Sequence, residues 1–211
     1  MNRVLALSAS IALLWIGGAA AQGGAAPDTA KGRQTSTQIC AACHAIDGNS
    51  VLAANPKLAG QIPEYLTKQL LNFKPQGGKK AERDNAVMAG MVATLSEADM
   101  RNVSAYYSQQ KLKAAVARNR DLAAAGQKLY RGGNAETGVA ACAGCHGPKG
   151  VGVPSLFPRV AGQFPEYVEA QLIAFRSKVR ANDPGGMMRG VAARMTDQEI
   201  KAVAEYVAGL R

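Results

Sequence analysis

The chain has 211 residues and a formal charge of +10, with four cysteines and two histidines. That length suffices for one domain or two small ones, and the charge favours an acidic protein patch or an anionic membrane surface as partner. No basic helix or array of basic and aromatic residues accompanies the charge, which argues against nucleic acid.

The chain opens with Arg3, an apolar run from Val4 to Ile16, and Ala19-Ala20-Ala21-Gln22. A basic start, a short apolar core and a small-x-small site describe a secretory signal peptide cleaved near Ala21. The alternative is a membrane anchor, but the run is shorter than the roughly 20 residues a spanning helix needs. Residues 22–30 read as a flexible terminus and 31–39 as a short helix leading into Cys40.

Next comes Cys40-Ala41-Ala42-Cys43-His44, and 102 residues later Cys142-Ala143-Gly144-Cys145-His146. Cys-x-x-Cys-His is the attachment signature of c-type haem. Two thiols add to the haem vinyl groups, and the adjacent imidazole reaches the iron. The two motifs use every cysteine and both histidines, so two covalent haem c groups are expected and structural disulfides are not. Attachment outside the cytoplasmic membrane agrees with the export signal and places the mature protein in a periplasm. Loss of Arg3 leaves +9, and four ionised haem propionates would bring this to about +5.

A loop from Ala45 to Pro56 precedes a helix from Pro63 to Phe73, where Tyr65, Leu66, Gln69, Leu70 and Phe73 recur at helical spacing. Residues 75–86 read as a polar loop. Ser96 and Asp99 resemble a capping box before a helix carrying Met100, Val103, Tyr106 and Tyr107. The helical pattern fades between Gln110 and Asp121, a charged and locally helix-favouring stretch that reads as a semi-rigid connector. The expected division is 1–21 signal peptide, 22–118 first haem domain and 119–211 second haem domain, each mostly helical.

The second half repeats the first. Leu58-Ala59-Gly60-Gln61-Ile62-Pro63-Glu64-Tyr65 matches Val160-Ala161-Gly162-Gln163-Phe164-Pro165-Glu166-Tyr167, again 102 residues on. The capping segments at Leu95 and Met195 are only 100 apart, so a two-residue deletion falls between. Thr196 and Glu199 form the second capping box. Arg131-Gly132-Gly133-Asn134 reads as an extra loop before the second motif. Each half is small for a self-sufficient core, so haem supplies apolar mass and the apoprotein is expected to fold poorly.

With both histidines used as proximal ligands, Met is the expected sixth ligand. Among seven methionines, Met88 and Met188 share the 100-residue offset of the capping segments that follow them. Met91 and Met187 face Val191 and Val87 in that register and stand as the alternatives. Met100 corresponds to Ile200 and reads as packing. Pro56 and Pro158 each lie thirteen residues beyond the second cysteine of their motif, where a backbone carbonyl could orient the imidazole N–H. Tyr65, Tyr167, Arg83 and Arg180 are candidates for propionate contacts.

On these motifs, the repeated Ala-Gly-Gln-x-Pro-Glu-Tyr segments and the Met-containing segments before the capping boxes, the mature chain resembles the cytochrome c4 family. The resemblance implies an all-α fold: two tandem class I cytochrome c domains related by an approximate two-fold axis, with haem propionate edges facing one another. It implies the axial pairs His44–Met88 and His146–Met188 and single-electron transfer in a respiratory chain. The implied partners are redox proteins, a quinol-oxidising cytochrome bc1-type donor and a terminal oxidase acceptor, with peripheral membrane association. Residues 1–118 carry +6 and 119–211 carry +4, a departure from a dipolar family member that leaves docking polarity open. A permanent dihaem subunit of a dehydrogenase or oxidase is the first alternative. A dihaem peroxidase is the second, and would need an open iron.

Overall fold

The computed structural model describes residues 25–211. The expected signal peptide and its cleavage near Ala21 lie outside the described residues. No helix among the described residues is long and apolar enough to cross a membrane.

The first half contains α1 (Thr29–Thr35), α2 (Ala41–His44), α3 (Pro63–Phe73), α4 (Ala86–Val92) and α5 (Glu97–Ser108). The second contains α6 (Arg120–Gly132), α7 (Ala143–His146), α8 (Pro165–Arg176), α9 (Met187–Ala192) and α10 (Asp197–Gly209). Among the described residues only isolated bridges interrupt the helical and irregular structure, so the fold is all-α. A π-helical segment, Ser36–Cys40, joins α1 directly to the first motif.

Local sequence accounts for the helix starts. Pro63 and Pro165 sit in the first turns of α3 and α8, where a missing N–H costs nothing. Both expected capping boxes form, Ser96 with Asp99 and Thr196 with Glu199.

In each half the first and last helices cross through a glycine. A Cβ on Gly32 would lie 2.1 Å from the Asn102 carbonyl oxygen, and one on Gly126 would lie 2.0 Å from that of Ala202. Only a residue without a side chain permits that approach. These crossings, α1 on α5 and α6 on α10, position everything between them. The helix α6 is an unexpected element, and it takes in two residues expected to be loop. Arg131 and Gly132 form its last turn, and the extra loop begins at Gly133, with φ +70°.

The connector is extended rather than helical, and both halves pin it. Asn49 bonds the Lys111 carbonyl and the Lys113 N–H at 3.0 and 2.7 Å. The Ala115 N–H donates to the Gly162 carbonyl at 2.9 Å, and Arg118 pairs with Glu166.

Candidate haem sites and the interface between them

Each histidine is fixed by a single backbone carbonyl. Nδ1 of His44 lies 2.9 Å from the Pro56 oxygen, and Nδ1 of His146 lies 2.8 Å from the Pro158 oxygen. A carbonyl only accepts, so Nδ1 must carry the proton, and Nε2 is left with its lone pair for a metal. Both rings are buried, and burial lowers both pKa values, although the proline carbonyls act the other way. The neutral imidazole needed for ligation is the favoured form.

The four thiols of the two motifs differ in exposure. Cys43 and Cys145 are exposed, Cys40 and Cys142 are half-buried, and all four are free. Burial raises the Cys40 thiol and pushes Cys142 up to about 11. The two repeat-related methionines are half-buried beside apolar clusters. Met88 packs against Phe73, Val92, Leu95 and Met100, and Met188 packs against the cluster around Leu172, Met195 and Ile200. Met91 and Met187 are 44 % and 41 % exposed. The thioethers at repeat-related positions therefore meet apolar surroundings, while the alternatives lie at the surface. Neutral imidazole, paired thiols and an inward thioether in each half fit covalent haem.

The backbone just past each motif turns the same way. Ala45 has φ 61°, ψ 159°, and Gly147 has φ 78°, ψ 158°. That region is essentially restricted to glycine, so Ala45 holds strain that Gly147 does not. The hydroxyl of a tyrosine approaches each of these carbonyls, but from different helices. Tyr130 of α6 donates to the Gly147 oxygen at 2.6 Å, whereas Tyr107 of α5 lies 3.4 Å from the Ala45 oxygen and 2.8 Å from Ser36 Oγ.

The four propionate candidates meet between the halves. Arg83 stacks on Phe73 at 4.6 Å and reaches across to Tyr167 at 3.0 Å. Arg180 stacks on Phe175 at 4.5 Å and reaches across to Tyr65 at 3.1 Å. The amide oxygens of Gln69 and Gln171 each accept from both guanidinium groups. Burial pushes the Tyr65 hydroxyl up, but Arg180 and Arg83 more than offset it and hold it below the usual tyrosine range. Among the described residues, neither guanidinium bonds a carboxylate.

Arg83 and Arg180 are structurally equivalent, because their N–H groups donate to the Asn72 and Ala174 carbonyls at repeat-related positions. The two-residue deletion thus resolves into a loss of five residues before the arginine and a gain of three after it. The sequence missed the roles of Gln61 and Gln163, although the repeated Ala-Gly-Gln marked both. Gln61 binds the backbone of Arg159, and Gln163 binds that of Lys57.

Two helical units, each built around Cys-x-x-Cys-His with a carbonyl-held imidazole, define a c-type cytochrome that carries two covalently bound haem c groups and transfers electrons. The family model for cytochrome c matches residues 29–111 and 123–211. Cytochrome c4 of Thiocapsa roseopersicina is 46 % identical over 185 residues, covering 87 % of this chain and 93 % of the relative. The crystal structure of reduced recombinant cytochrome c4 from Pseudomonas stutzeri superposes with a TM-score of 0.82 at 40 % identity, covering 88 % of this chain and all of that one. A thiosulfate dehydrogenase electron acceptor of Thiomonas intermedia (strain K12) is 41 % identical, covering 99 % of this chain and 91 % of the relative. The chain belongs to the cytochrome c4 family.

Proposed function

We propose that this protein is a mobile periplasmic carrier of single electrons, with a thioether-anchored haem c at Cys40 and Cys43 and another at Cys142 and Cys145. His44 with Met88 and His146 with Met188 would hold the two irons. The observation that carries this reading is the mirrored arrangement in which each imidazole is fixed by a proline carbonyl and each half turns one thioether into its apolar interior. Bound haem supplies a one-electron Fe(II)/Fe(III) couple at each site. The protein holds each imidazole in one tautomer, supplies a soft ligand that raises the potential, and keeps water from the ligands by burial. With Met88 and Met188 as permanent ligands, each site would supply electron transfer rather than peroxide chemistry, which favours a carrier over a peroxidase.

Arg83 and Arg180, with Tyr65 and Tyr167, are the propionate-holding residues in this reading. Two half-buried or buried guanidinium groups without a carboxylate partner call for anions, and the facing propionates are anions of the right kind. The halves divide near Arg118, with 22–118 and 119–211 as the two domains and residues 1–21 as the removed signal peptide. Physiological partners are a cytochrome bc1-type donor and a terminal oxidase acceptor, met at a basic surface or at an anionic membrane. The relative described as a thiosulfate dehydrogenase electron acceptor favours a second reading, in which a dehydrogenase is the donor.

Replacing Met88 or Met188 by Ala, one at a time, tests the assignment. Each substitution is expected to remove about half of the thioether–Fe(III) charge-transfer absorption of the oxidised holoprotein, as one of two equivalent sites. An unchanged spectrum in either variant, or loss on replacing Met91 or Met187 instead, would contradict it.

A further inference from the structure

The two interface glutamines end on a particular peptide group. The Pro56–Lys57 peptide is one planar amide. Its carbonyl, on Pro56, accepts from His44 Nδ1 at 2.9 Å, and its N–H, on Lys57, donates to Gln163 Oε1 at 2.9 Å. The Pro158–Arg159 peptide is the counterpart. Its carbonyl accepts from His146 Nδ1 at 2.8 Å, and its N–H donates to Gln61 Oε1 at 2.8 Å. Each histidine is therefore two hydrogen bonds and one peptide away from a glutamine of the other half.

The side chains are held to this task. Gln163 Nε2 donates to the Lys57 carbonyl at 3.0 Å, and its Oε1 also accepts from the Phe164 N–H at 3.0 Å. Gln61 makes the matching bonds to the Arg159 carbonyl and the Ile62 N–H, both at 2.9 Å. A backbone N–H must meet an oxygen and a carbonyl must meet an N–H, so only one orientation of each amide satisfies the set.

We infer that Gln163 tunes the His44 site and Gln61 tunes the His146 site, each across the interface through one polarised peptide. Hydrogen bonds in a chain strengthen one another, more so away from water. An acceptor on the peptide N–H makes its carbonyl a better acceptor. That carbonyl draws the Nδ1 proton harder, and the imidazole becomes a more electron-rich ligand that favours Fe(III). The inference rests on His44 and His146 being the iron ligands. Ordinary interface adhesion would not predict the crosswise assignment, because adhesion has no reason to end on the peptide that holds the ligand.

The test uses the holoprotein. In the reduced, diamagnetic wild type, strongly ring-current-shifted His44 and His146 ring protons establish the ligation itself. Gln163→Leu is then expected to move the His44 Nδ1–H resonance upfield and speed its exchange, leaving His146 unchanged. At fixed ambient potential, the Fe(II)/Fe(III) ratio of that haem should rise on the order of threefold, about 28 mV at 59 mV per tenfold for one electron. Haem methyl resonances read each half separately during the titration. Gln61→Leu should do the same to His146 alone.

Gln163→Glu keeps an oxygen for the Lys57 N–H and adds charge, at the loss of the bond to the Lys57 carbonyl; it should shift His44 the opposite way and carries the test if the leucine variant fails to fold. Shifts confined to the variant's own half, equal shifts in both halves, the same sign for Leu and Glu, or no shift would overturn the inference while leaving the ligation intact. Histidine ring protons without ligation shifts in the wild type would overturn both.

Discussion

The two halves agree where they face each other and differ where they face away. The imidazole–proline bond, the glutamine across the interface, the Arg–Phe stack and the Arg–Tyr contact occur in both, at similar distances. Behind this front the designs diverge. The first half runs straight from α1 into its motif, whereas the second inserts the loop after Gly133. The first half has its buried tyrosine on the last helix, with Ser36 opposite, and the second has it on the first helix, with Val207 opposite. A buried volume beside the motif is thus filled from opposite sides. The comparison teaches that geometry around the ligand and the interface is tightly specified, while the outer core needs only the right volume.

The largest expected break in this comparison is at the arginines. Arg180 is 7 % exposed and anchors Tyr65, Gln69, Gln171 and Asn182, while Arg83 is half-buried. Arg180→Leu should cost about 3 kcal/mol, because it strands several buried polar groups. Arg83→Leu should cost about 1 kcal/mol, since water can reach what it leaves. Denaturant unfolding of the two holoprotein variants measures the difference, and equal costs would show that the interface is more symmetric than the burial indicates.

The next effect concerns the residue after each motif. Gly147→Ala should destabilise the second half by about 2 kcal/mol, while Ala45→Gly should stabilise the first by about 1 kcal/mol. Opposite signs in thermal unfolding would sharpen the comparison, and the same sign would erase it.

The smallest effect is at the capping boxes. Ser96→Ala and Thr196→Ala should each cost about 1 kcal/mol near neutral pH. The Ser96 hydroxyl and then its N–H hold the Asp99 carboxyl below its usual range; for Glu199 the Thr196 N–H contributes most. A depressed carboxyl stabilises the fold above its unfolded pKa of about 4, and that stabilisation disappears as pH falls through the lower folded value. The penalty of both substitutions should therefore shrink between pH 7 and pH 3, read as melting temperatures.

The haem motifs and both caps were legible because each depends on short-range spacing, and the repeat was legible because its segments recur at near-constant offsets of 100 and 102 residues. The helix α6 was legible only in part. Leu122, Leu129 and Tyr130 recur at helical spacing and were a readable signal, whereas Gly126 between them is buried by close backbone approach rather than by a side chain. It also lies 94 residues from its counterpart Gly32, out of register with the 102-residue repeat. Arg131 and Gly132 belong to this helix although the paired glycines that follow Arg131 read locally as a turn. Gln61 and Gln163 were visible as repeated residues, but their partners are 98 and 106 residues distant, so no local pattern could reveal what they hold.

A redox titration of the purified holoprotein followed by absorption, with cyanide added at its end, probes both haem sites at once. Two covalently bound haems per chain, two one-electron steps and no rapid cyanide binding to either oxidised iron are expected. One haem per chain, or one iron that takes up cyanide at once, would contradict a dihaem electron carrier.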